Sequence, residues 1–132
     1  MTSRESIFDN RVEPVGFERP AYPFTPEDLT VERQEIGKDT LFVVRGGEAH
    51  IGAVSTAYFE DGAIVVETTS LPGHKEALLS EPAARRAAES LRRTVTVVMG
   101  IHYDGITAEQ IAEVSAIASK RLEEALRASS AN

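Results

Sequence analysis

The sequence predicts an α+β fold: an antiparallel sheet with two helices packed on one face, in the order β-β-β-β-α-β-α. Two observations carry that prediction. Between residues 28 and 70, short alternating or β-branched runs follow one another, separated by glycine- and aspartate-containing turns. Beyond residue 80 the apolar residues recur at helical steps, with helix-start signals in two places. Strands early and helices late place both helices on one face of a sheet.

Each element has its own reason. Residues 28–36 (DLTVERQEI) alternate through Leu29, Val31 and Arg33 and end at the turn Gly37-Lys38-Asp39. TLFVVR (40–45) is β-branched and aromatic, and Gly46-Gly47 closes it. HIGAVSTAYF (50–59) runs to Asp61-Gly62, a favourable hairpin turn, and AIVVETTS (63–70) returns from it. Short turns between four successive strands imply a meander. A first helix is expected over about 81–93, capped by Ser80 with Pro82 in its first turn. Its alanine pairs, Ala83-Ala84 and Ala87-Ala88, give with Leu91 a narrow stripe suited to close packing on a sheet. TVTVVM (94–99) supplies the fifth strand. Thr107-Ala-Glu-Gln110 is a capping box, and Ile111, Val114, Ile117, Ala118, Leu122, Ala125 and Leu126 continue it as a second helix. The final ASSAN is expected to fray.

Ahead of this domain (27–128), residues 1–26 hold Pro14, Pro20, Pro23 and Pro26 and no hydrophobic period, so they read as an irregular arm. Phe17, Tyr22 and Phe24 are too many aromatics for a solvated tail. The arm is expected to lie on its own domain or on a second subunit.

Composition narrows the function. The 132 residues suit one domain, and 21 acidic against 14 basic side chains give a net charge of −7. Nucleic-acid binding normally asks for the opposite sign. The basic cluster Arg85–Arg86 with Arg92–Arg93 is interrupted by Glu89 and reads as a solvated helix face. No cysteine is present, which excludes disulfides, thiolate metal sites and cysteine nucleophiles. The opening MTSRESIFDN has no apolar core and no run approaches a bilayer span, so a cytoplasmic protein with no membrane contact is expected.

The chemistry gathers at the histidines. His50, His74 and His102 all lie in glycine-containing segments at predicted strand ends: GGEAHIG (46–52), LPGHKE (71–76) and GIHYDG (100–105). Two of these segments run into helix N-termini, whose free N–H groups and positive dipole favour phosphate or carboxylate. Lys75 adds charge there, and Tyr103 a ring able to stack on a planar ligand. Three imidazoles could also bind zinc, but no two of them share a helix at i, i+4, and no metal is expected. G-x-S-x-G, Walker A and G-x-G-x-x-G are all absent. A small enzyme using His50, His74 and His102 for acid–base or metal chemistry stays open at this point, as does an accessory or assembly subunit without a ligand.

HIGAV (50–54), GHKE (73–76) and GIHYDGITAEQI (100–111) together resemble the small D subunit associated with bacterial gallate decarboxylase, across roughly residues 28–126. GIHYDGIT is the most specific part. The resemblance implies a fold similar to proteasome assembly chaperones. It further implies a dimeric, non-catalytic carrier of reduced prenylated FMN that serves a prenylated-flavin-dependent decarboxylase. The positions it assigns to the ligand are His50, Gly73, His74, Lys75, His102, Tyr103 and Asp104.

Overall fold

Apolar residues at every second position become strands wherever turn residues bracket them, and the computed structural model follows that rule over the residues it describes, 21–128. A single 3₁₀ turn, Pro26–Asp28, leads into β1 (Thr30–Ile36), β2 (Asp39–Gly47), β3 (Ala53–Glu60) and β4 (Ala63–Ser70). Then come α1 (Ala77–Leu91), β5 (Val95–His102) and α2 (Ala108–Arg127). The α+β class and the order of five strands and two helices are as expected. Most of the proline-rich arm, with Phe17, and all but the first residue of ASSAN lie outside the described residues.

The meander is corrected. The strand order is β1-β2-β5-β3-β4, so β5 separates β2 from β3. β5 runs parallel to β2 and antiparallel to β3, and the sheet is mixed. The reason lies in the composition of β5. Val95, Val97 and Met99 are fully buried on the helix side, while Thr96 and Val98 are half-buried on the other. A strand apolar on both faces is most stable at the centre of a sheet, with neighbours on each side.

Both helices cover the same face. Phe42, Val44, Val95, Val97, Met99 and Ala57 from the sheet meet Ala84, Ala87 and Ala88 of α1 and Ala118, Leu122 and Leu126 of α2. The alanine stripe brings α1 close to the sheet, as its small side chains predict. The start of α1 differs from expectation: it begins at Ala77, and Ser80 lies inside it. Ser80 is fully buried, and its hydroxyl meets that of Ser55 at 2.8 Å, which meets Thr68 at 2.7 Å. A cross-element hydroxyl chain therefore takes the serine that local sequence offers as a cap. Pro82 consequently sits within the helix. The capping box at α2 forms as expected, with Gln110 N–H donating to Thr107 Oγ1 at 3.1 Å and Thr107 N–H to Gln110 Oε1 at 3.0 Å.

Among the described residues, no helix covers the opposite face. Leu41, Val43, Val54, Tyr58, Val65 and Val98 alternate with the core residues there and stay half-buried. Among the described residues, no helix is long and apolar enough to cross a membrane.

Candidate ligand site

Inserting β5 forces the chain between β2 and β3 to cross over the end of that strand. Residues 48–52 do so, held by Glu48 N–H to His102 O at 3.0 Å and Gly52 N–H to Met99 O at 2.9 Å. The crossing needs a bare backbone beneath it. A Cβ on Gly100 would lie 1.5 Å from the His50 carbonyl oxygen, and one on Gly52 would lie 2.3 Å from a carboxylate oxygen of Glu76. These two glycines let three separate segments meet at one end of the sheet.

His50 rides on that crossing. Its Nδ1 is 2.9 Å from the Glu48 carbonyl, which can only accept, so Nδ1 carries a hydrogen. Nε2 then points at Oε2 of Glu76, 2.8 Å away. Glu76 stands just ahead of α1 with its side chain only 9% exposed. Rather than cap the helix, it accepts the Ile101 N–H at 3.1 Å and so ties the start of α1 to β5. His74, two residues earlier, sets its ring against that of His50, the centroids 4.7 Å apart and the planes inclined by 35°, and places Nδ1 3.7 Å from Glu76 Oε1.

The loop after β5 is fixed from the other side. Tyr103 is 3% exposed, packs edge-on against Phe24 at 5.5 Å, and donates its hydroxyl to Asp28 and to Thr25 O. Burial, followed by the Asp28 carboxylate, pushes its phenol well above the ordinary range. Asp104 exchanges backbone and side-chain hydrogen bonds with Tyr22 and sits 2.9 Å from His102 Nε2. The end of the arm thus lies on its own domain, through residues 22–25.

Between these parts opens a cleft of about 620 Å³. Its lining is mixed: apolar side chains that include Ile101, Ile106, Ile111 and Val114, and the polar groups of His50, His74, Lys75, Glu76 and His102. The first turn of α2 also borders it, through Ala108. Of the residues singled out from sequence, His50, Gly73, His74, Lys75, His102 and Tyr103 all line this cleft. Asp104 does not; it orients His102 instead. Tyr103 borders the cleft with almost no free surface, so little ring remains to stack on a ligand.

The prenylated flavin chaperone LpdD-like domain matches this chain over residues 25–130. The chain belongs to that family. Protein LpdD of Lactiplantibacillus plantarum is 40% identical to it over 85 residues, a match covering 60% of this chain and 60% of the relative. The family match takes in every element that borders the cleft, from Thr25 under Tyr103 to the first turns of α2.

In this prenylated-flavin chaperone domain, three site residues escaped the sequence reading: Glu76, Gly52 and Gly100. Glu76 stands within GHKE, but nothing local distinguishes a buried carboxylate from a solvated turn residue. The two glycines stand within HIGAV and GIHYDG, where a turn explains them equally well until β5 is seen to pass beneath residue 50.

Proposed function

We propose that this chain is a non-catalytic chaperone that holds reduced prenylated FMN in the cleft and hands it to a prenylated-flavin-dependent decarboxylase. The mixed lining of the cleft carries this reading. A flavin joins a planar, largely apolar ring system to a phosphate, and the cleft offers both apolar side chains and the basic groups of His74 and Lys75. Its volume lies within the roughly 300–1,000 Å³ usual for cofactor-sized ligands.

Ile106, Ile111 and Val114 would bear on the ring, while His74 and Lys75 would neutralise the phosphate beside the α2 N-terminus. His102, oriented by Asp104, would supply a hydrogen bond at the ring's polar edge. The bond-breaking chemistry belongs to the cofactor once in its target enzyme; this chain's part is to bind, orient and shield it. The sheet face that no described helix covers would pair two copies as a homodimer.

Anaerobic titration with reduced prenylated FMN tests the reading, followed by addition of cofactor-free decarboxylase. Micromolar or tighter binding and recovery of decarboxylase activity are expected. Failure to bind, with the protein folded, would overturn it.

A further inference from the structure

The groups around Glu76 form a constellation that flavin binding alone does not require. Histidine and carboxylate atoms of His50, His74 and Glu76 all lie within 4.8 Å of one another. Ligands sharing one first-row metal ion at about 2.0–2.2 Å stand roughly 2.9–3.5 Å apart in octahedral or tetrahedral geometry. The separations of 2.8 Å from His50 to Glu76 and 3.7 Å from His74 to Glu76 bracket that range.

Orientation matters as much as distance. His50 Nε2 is buried, and no hydrogen bond reaches it even though Glu76 Oε2 is near. With Nδ1–H held by a backbone carbonyl, a neutral His50 presents its Nε2 lone pair toward the carboxylate. Fixing the far nitrogen on a carbonyl is how proteins set the tautomer of a metal-binding histidine. Glu76 is likewise braced from behind, by the Ile101 N–H. His102 is not part of the group; it pairs with Asp104 instead.

We propose that His50 Nε2, His74 Nδ1 and the Glu76 carboxylate bind one divalent transition-metal ion. Two imidazoles and one carboxylate suit zinc, manganese, iron or cobalt, and three protein ligands leave coordination positions free. His50, His74 and Glu76 all border the cleft, so the free positions face it and can take an anionic oxygen.

Cobalt(II) gives a visible d–d spectrum and serves as the probe, titrated into chelator-treated protein with no flavin present, so the outcome is independent of the chaperone reading. A band saturating at one equivalent is expected. His74→Ala and Glu76→Gln should each weaken it about tenfold or more. His74 is surface-placed, so its replacement keeps the fold even if Glu76→Gln does not. His102→Ala should leave the band unchanged. No saturable band, equal binding by His74→Ala, or loss in His102→Ala would overturn the site and leave His50–Glu76 as an ion pair alone.

Discussion

The Tyr103 hydroxyl donates to Asp28 and, at 3.1 Å, to the Thr25 carbonyl, so one buried ring fastens the loop after β5 to the segment that precedes β1. Asp28 also accepts the Gly47 N–H at 3.2 Å, which brings the end of β2 into the same knot. Tyr103→Phe keeps the ring and removes the donor. Stability should fall by about 1–2 kcal/mol, read as a lower urea midpoint. Because the folded-state phenol is raised, its contribution is complete below about pH 10 and is withdrawn as pH rises further. The variant should therefore lose this alkaline dependence. An unchanged midpoint would show that the hydroxyl adds nothing.

Lys75 borders the cleft and makes no ion pair among the described residues. Lys75→Ala should weaken reduced prenylated FMN by roughly 10- to 150-fold, the value of one charge-assisted hydrogen bond, with an unaltered melting temperature. Gly73 sits at φ +80° with open space around it, so Gly73→Val should strain the loop as well as narrow the approach. Equal affinity in wild type and both variants would remove this loop from the site.

Gly100→Ala places a methyl group where the His50 carbonyl now lies. The crossing segment must lift, at a cost of about 1–3 kcal/mol, and His50 must move away from Glu76. Chemical denaturation together with the His50 imidazole resonances would show both effects. A variant with native stability and unshifted resonances would contradict the account of the crossing.

The sheet face left without a helix among the described residues makes a prediction about mass. Val43 and Val98 are paired neighbours at its centre, flanked by Val54. Light scattering at micromolar concentration should give a dimer, and Val43→Glu should give a folded monomer, because an unpaired charge resists burial. A monomeric wild type would sink the proposal.

Much of the architecture was legible because it rests on local rules. The Thr107 capping box, the Asp61-Gly62 hairpin and the alanine stripe of α1 each depend on residues a few positions apart. What escaped was non-local. Ser80 reads as a cap until Ser55 is brought against it, and β2–β3 reads as a hairpin until a strand made 35 residues after β3 ends is slotted between them. The same divide runs through the site. The histidines were visible as residue types, whereas their grouping depends on Glu76 and on two backbone approaches that only the tertiary fold creates.

The central position of β5 also sets the order of events as the chain emerges from the ribosome. β1–β2 and β3–β4 are local antiparallel pairs, yet an isolated hairpin is marginal in water. Their joint stability waits for β5, which bonds to both and is synthesised only after α1. The same docking event brings Met99 and His102 beneath residues 48–52 and Ile101 against Glu76. Until the last strand docks, nascent chains have no cleft, and the ligand capture proposed for it would be a property of finished molecules alone.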